Sequence, residues 1–138
     1  MALTLEIITP EDKVYSKQVD DVVLPTEAGE IDVLAGHLPL LTKIAPGEVI
    51  ANHGGTSEAL AVDRGFARIQ GDVVSILTEA AINVEEIDLN QVEEARKRAE
   101  AALDQAKKDN LPPEEVERLQ AVARFSIAQQ LAKARRVR

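Results

Sequence analysis

Along the first 84 positions, apolar and polar residues alternate with a period of two, and glycine, proline or polar turns break the pattern about every 8 to 12 residues. Leu3, Leu5 and Ile7 alternate with Thr4 and Glu6, the pattern of a half-buried strand that ends at Pro10. Further strands are predicted over residues 14–16, 19–24, 30–34, 40–45, 48–52, 57–62, 65–69 and 72–77. Within 30–34 the carboxylates of Glu30 and Asp32 fall on one face and Ile31 and Val33 on the other. Gly54-Gly55 supplies the positive-φ freedom of a tight hairpin turn. Regular short strands of this kind predict an antiparallel sandwich or barrel with an aliphatic core.

At Asp88 the period lengthens to that of a helix. Asp88 stands as N-cap with Gln91 three residues on, a capping box, and Ile87 and Val92 take the positions of a hydrophobic staple. Leu89, Val92, Ala95, Ala99, Leu103 and Ala106 then recur three or four apart as one apolar stripe. Lys107 and Lys108 suit the negative end of the helix dipole, and Leu111-Pro112-Pro113 stops this helix before Glu114 and Glu115 open the next. The stripe predicted for the second helix is Val116, Leu119, Ala123, Ile127, Leu131 and Ala134. Two narrow, alanine-bearing stripes joined by a proline turn predict an antiparallel αα hairpin. The expected fold is therefore β + α, an N-terminal antiparallel β-sandwich over residues 1–84 followed by a C-terminal antiparallel two-helix hairpin over 85–138. A seam of small side chains is worth only a few kcal/mol at about 25 cal/mol per Å². The hairpin is expected to open when a partner favours its extended form, in which its roughly 50 residues reach on the order of 70 Å.

Charge divides at the same boundary. Residues 1–84 hold 5 Lys+Arg against 13 Asp+Glu, and residues 85–138 hold 11 against 11, so the whole net charge of −8 sits on the β part. Residues 118–138 carry six cations, Arg118, Arg124, Lys133, Arg135, Arg136 and Arg138, and no carboxylate. A cationic rod on an acidic body points to an acidic partner. Nucleic acid fits poorly, because the −8 body repels it and one Tyr and two Phe offer little for bases to stack on. A membrane-surface role is weaker still, since the stripe of the cationic helix lacks large anchors. No run approaches the roughly 18 apolar residues of a bilayer span, and Met1-Ala2-Leu3-Thr4 has neither signal- nor transit-peptide composition. Membrane association is expected only indirectly, through a partner.

The chemistry-bearing residues are few. Zero cysteines excludes disulfides, thiolate catalysis and cysteine-based zinc sites. There is no phosphate-binding glycine loop, no nucleophile elbow and no His-Glu-x-x-His pair. No catalytic residue, metal or cofactor is therefore expected. Of the two histidines, His37 lies in a Gly-His-Leu-Pro turn where an ordinary structural hydrogen bond accounts for it. The N-cap role accounts for Asp88 without any ligand.

Several segments in order are specific. Thr9-Pro10-Glu11 is followed by Val14-Tyr15-Ser16, Val23-Leu24-Pro25, then Gly29-Glu30-Ile31-Asp32-Val33-Leu34-Ala35-Gly36-His37-Leu38-Pro39-Leu40-Leu41-Thr42, then Pro46-Gly47 and Gly65-Phe66. From Leu5 to the C-terminus this order strongly resembles the epsilon subunits of F-type ATP synthases. The resemblance implies a ten-stranded β-sandwich with a two-helix appendage and a non-catalytic place in the central rotor stalk. The implied partners are the gamma subunit, the ring of c subunits and, through the last helix, the alpha and beta catalytic subunits. The implied roles are coupling of proton translocation to ATP synthesis and restraint of ATP hydrolysis. The implied location is peripheral, on the cytoplasmic face of a bacterial inner membrane or the stromal face of a thylakoid.

Carried onto this chain, the resemblance makes the region from Glu30 to His37 the c-ring-facing end, with Glu30, Asp32 and His37 as contact candidates. It makes Arg118, Arg124, Lys133, Arg135, Arg136 and Arg138 the inhibitory contacts. Two departures stand out. Some members bind ATP on the hairpin through Ile/Leu-Asp-x-x-Arg-Ala, whereas here Ile87-Asp88-Leu89-Asn90-Gln91-Val92 keeps Asp88 alone of the polar pair, so weak or absent ATP binding is expected. A free-standing nucleotide-binding regulator, the alternative reading, loses its ligand motif at the same place. The second departure is Arg64, where the family commonly has a glycine.

Overall fold

The computed structural model describes residues 2–136, with side chains through Ala134. Ten strands form one continuous sheet: β1 Leu3–Ile8, β2 Lys13–Val19, β3 Asp21–Thr26, β4 Gly29–Leu34, β5 Leu40–Ile44, β6 Gly47–His53, β7 Thr56–Val62, β8 Gly65–Gln70, β9 Val73–Thr78 and β10 Ala81–Asn83. Two helices follow, α1 Leu89–Asp109 and α2 Pro113–Arg136. The strand order is β10-β7-β6-β3-β5-β8-β9-β1-β2, with β4 added to β3. β3 meets β5 through a single pair, Thr26 with Ile44. At that hinge the sheet folds over into two layers. Among the described residues β1 with β9 is the one parallel pairing, and the others are antiparallel.

Period-two alternation drives this arrangement. Leu3, Leu5 and Ile7 of β1, Val22 and Leu24 of β3, Val74 and Ile76 of β9 are all fully buried between the layers. At the open edge, Tyr15 of β2 reaches toward Glu58 of β7, its hydroxyl 3.5 Å from the carboxylate, with the Lys17 ammonium 3.0 Å from the same oxygen. Burial first, then the Glu58 charge, pushes the Tyr15 phenol up to about 12. Gly65 is fixed by packing, because a Cβ there would stand 1.9 Å from the Leu77 carbonyl oxygen across the β8–β9 ladder.

The strand reading from sequence misses β10, a three-residue strand on β7 that carries too few residues to show alternation. It also shortens β2, which runs from Lys13 to Val19. Its helix boundaries hold. Asp88 caps α1 by accepting from the Asn90 and Gln91 amides at 3.0 and 3.3 Å, and α1 ends on Asn110 in the left-handed conformation at φ 51°. Ile87 and Val92, the expected staple, are buried in one cluster with Ala59, Ala61, Val84 and Ala132. This second, smaller core is where the hairpin lies against the outer face of β7.

The stripe predicted for α2 is wrong in its second half. Val116, Leu119 and Ala123 are half-buried, but Ile127, Leu131 and Ala134 face solvent and Ser126, Ala128 and Ala132 are buried instead. The helix packs on two partners at once: α1 lies against it as far as Gln130, which donates to Glu93, while β6 and β7 take a second side, where Ala132 joins Ala59 and Ala61, so one stripe does not describe its buried face.

Candidate functional site

Two surfaces carry the residues singled out from sequence, and the strand register gathers a third. On the first, α2 is held to the sandwich by two ion pairs at the β7–β8 turn. Arg124 reaches both oxygens of Asp63, Nε to Oδ1 at 2.7 Å and a terminal nitrogen to Oδ2 at 3.0 Å. Asp63 is only 1% exposed, and its Oδ1 also accepts the Arg64 amide at 2.8 Å. This fork-to-fork geometry is the strong form of a carboxylate–guanidinium pair, and it holds the Arg124 pKa above its ordinary value. Next to it, Arg64 pairs with Glu117 at 2.7 Å. Arg64, the residue that stands where the resembled family commonly has glycine, thus belongs to the same contact.

The hairpin is tied within itself and further along the sandwich. Glu93 of α1 accepts from Arg96 at 2.6 Å and from Gln130 of α2. These two hydrogen bonds, that from Arg96 first, hold the Glu93 carboxyl below the usual carboxylate range. Lys133 donates to the Val84 carbonyl at 3.2 Å. Of the expected inhibitory contacts, Arg118 pairs with Glu115 one turn back at 2.6 Å, Arg124 with Asp63, and Lys133 with backbone, so each of these three cations has a partner in this state. The side chains of Arg135 and Arg136, and Arg138 altogether, lie outside the described residues.

The second surface is the outer face of β4. Glu30 and Asp32 project from it side by side while Ile31 and Val33 face the core, as alternation predicts. A hydrogen bond shared with Asp21 across the β3–β4 pair pushes the Asp32 carboxyl up, with slight desolvation and the Asp21 charge acting in the same direction. His37 does not join them. Glu30 lies opposite Pro25 beside the β3–β4 turn, whereas Leu34 lies opposite Asp21 at the far end and His37 follows it. At 3.3 Å per residue the two ends are about 13 Å apart. There the His37 Nδ1 lies 2.6 Å from the Leu38 carbonyl oxygen, the ordinary turn contact expected.

The third surface went unread in the sequence. On the outer face of β5, β8 and β9, Phe66 stands beside Lys43 and Leu77, and Leu41 stands beside Arg68. Phe66 is 52% exposed and Leu41 70% exposed, with Leu38 and Leu77 open as well. Exposed leucines and a phenylalanine clustered on one face are the mark of a covered surface. Alternation alone shows that one side of a strand is buried in the core, and a partly apolar second side reads as noise until the register gathers it.

Comparison with known proteins settles the family. A profile of the ATP synthase delta/epsilon chain β-sandwich domain matches residues 2–84. The chain belongs to the ATP synthase epsilon chain family. It is similar to the ATP synthase epsilon chain of Syntrophobacter fumaroxidans, 41% identical over 126 residues covering 91% of each chain. It is similar also to that of Halalkalibacterium halodurans, 38% identical over 109 residues covering 79% of this chain and 82% of the relative. In fold it resembles a chain from a cryo-EM structure of the Euglena gracilis mitochondrial ATP synthase, with a TM-score of 0.71 at 23% identity, covering 95% of this chain and 81% of the other. As a member of the epsilon family the chain is a non-catalytic subunit that serves ATP synthesis. No described helix is long and apolar enough to cross a membrane.

Proposed function

We propose that this epsilon chain is a central-stalk rotor subunit that couples proton translocation to ATP synthesis and restrains ATP hydrolysis through α2. The observation that carries this reading is the state of α2. It is a cationic helix laid on an acidic body through a small apolar cluster and a few ion pairs, contacts of a kind that a partner with carboxylates of its own can replace. In the division of labour proposed here, residues 1–84 bind the stalk and the ring, and residues 85–138 regulate.

Each proposed contact has its own physical support. The apolar face of Leu41, Phe66 and Leu77 suits the gamma subunit, because a stable subunit contact needs buried apolar side chains at its centre. His37, in the turn between β4 and β5, is a candidate for the c-ring loops. Glu30 and Asp32, at the other end of β4, suit basic groups on the c-ring loops, each exposed pair contributing at most about 1 kcal/mol and mainly orientation. Arg118, Arg124, Lys133, Arg135, Arg136 and Arg138 suit an acidic segment of the alpha and beta catalytic subunits once α2 is extended. The chain would then lie on the cytoplasmic side of a bacterial inner membrane or its stromal equivalent, attached only through the complex.

Truncation after Leu111 removes α2 and tests the regulatory half. ATP hydrolysis by the catalytic sector reassembled with the truncated chain is expected to rise above that with the full chain; unchanged hydrolysis sinks the inhibitory role. Phe66→Asp is expected to abolish co-purification with gamma while the sandwich stays folded, since Phe66 contributes little to the core.

A further inference from the structure

We infer that Asp63 is an internal decoy for the acidic partner of α2, holding Arg124 in the docked arm so that docking and inhibition compete for one guanidinium. The inference rests on the inhibitory role proposed for α2 and adds what sets its balance. Residues 118–138 contain no carboxylate, so α2 beyond Glu117 has no acid of its own to offer Arg124. The sandwich supplies one, in a form made rigid beforehand. The Asp63 amide donates to the Ala80 carbonyl at 2.9 Å, the Thr78 hydroxyl donates to the Asp63 carbonyl at 2.8 Å, and the Arg64 amide donates to the carboxylate. Little is left to order when Arg124 arrives, which favours the pair.

The neighbouring pair gives the contact a direction. Glu117 and Arg124 are seven residues apart, two turns of one helix face, and they meet Arg64 and Asp63 with opposite polarity. Sliding α2 by one turn would set Gln120 or Ala128 against Asp63 and leave a buried carboxylate without its cation. That is the costly way to break such a pair. The docked arm therefore has one register and leaves it as a unit, releasing Arg124 to an outside carboxylate.

The two partners are unequal when removed. In Asp63→Asn the freed Arg124, part-exposed, finds water, and the docked population is expected to fall about 10-fold. In Arg124→Gln the Asp63 carboxylate stays buried and unmatched, and the fall is expected to reach about 100-fold or more. Donor and acceptor dyes on Glu11→Cys and Lys108→Cys in the full chain report the opening. Hydrolysis by the reassembled catalytic sector reports inhibition. Both variants are expected to open the arm, yet Asp63→Asn should deepen inhibition several-fold while Arg124→Gln relieves it. Arg64→Ala, an exposed site that leaves Asp63 and Arg124 intact, should open the arm about 2- to 5-fold and also deepen inhibition; it carries the test if Asp63→Asn fails to fold. An arm that stays closed in these variants, or Arg124→Gln inhibiting as strongly as Asp63→Asn, overturns the decoy. If truncation after Leu111 raises hydrolysis but Asp63→Asn and Arg64→Ala do not lower it, the decoy alone is wrong; if truncation has no effect, the reading beneath it has failed.

Discussion

Leu131 and Ala132 are adjacent on α2 and have opposite environments: Leu131 is 63% exposed, whereas Ala132, 3% exposed, belongs to the cluster of Ala59, Ala61, Val84 and Ile87. The small residue carries the packing and the large one does not. Ala132→Leu is therefore expected to destabilise by about 1–3 kcal/mol through overpacking against β7, while Leu131→Ser stays within about 0.5 kcal/mol. Urea midpoints of the two variants check this, and a larger loss in Leu131→Ser would restore the stripe read from sequence.

Those two residues also show where sequence reading stops. The strands of β1 and β4 and the caps of α1 were legible because each is a local pattern: Leu3, Leu5 and Ile7 alternate, and Asp88 needs only the amides that follow it. The docked face of α2 is not local. It depends on alanines in β7, about seventy residues earlier in the chain, and a helix bearing Leu, Ile and Ala on several sides does not announce which side a sheet will take. Arg64 was visible as a departure, yet its partner Glu117 lies on another element and could be found only in three dimensions. The same holds for Asp63, which in sequence is one aspartate beside a turn.

Gly65 faces a backbone obstacle. The Leu77 carbonyl oxygen stands 1.9 Å, and the Thr78 Cα 2.8 Å, from where a Cβ would be. Neither belongs to a flexible side chain, so relief requires the β8–β9 pair to separate. Gly65→Ala is expected to cost about 3 kcal/mol or more, at the upper end of overpacking effects, and thermal unfolding of the isolated chain measures it. Because β8 and β9 also carry Phe66 and Leu77, the gamma binding proposed for that face should weaken in parallel.

Asp88 is occupied in capping. Asp88→Ala removes the acceptor for two amides and is expected to cost about 1 kcal/mol, seen as earlier melting of helical circular dichroism. With Gln91 in place of an arginine, neither the natural chain nor this variant is expected to bind ATP with micromolar affinity. Isothermal titration that found such affinity in the natural chain and lost it in Asp88→Ala would assign Asp88 to a nucleotide instead.

Asp32 and Asp21 give the sandwich a pH dependence opposite to that of a salt-bridged carboxylate. The hydrogen bond they share holds a proton on Asp32 above the ordinary carboxylate range, so between that range and the raised pKa the native chain binds more protons than the unfolded one. The stabilisation is fully present below the ordinary carboxylate pKa and is lost as pH rises through the raised one, leaving two like charges side by side at pH 7. Asp32→Asn removes that repulsion. Since Asp32 is largely open to solvent, screening keeps the gain at pH 7 to a few tenths of a kcal/mol, about 0.2–0.5. The gain is expected to vanish at about pH 3, below the ordinary carboxylate pKa, where Asp32 holds its proton in both the folded and the unfolded chain. Urea midpoints of Asp32→Asn and the natural chain at the two pH values decide it, and an equal difference at both would show that the effect of the substitution does not come from the proton on Asp32.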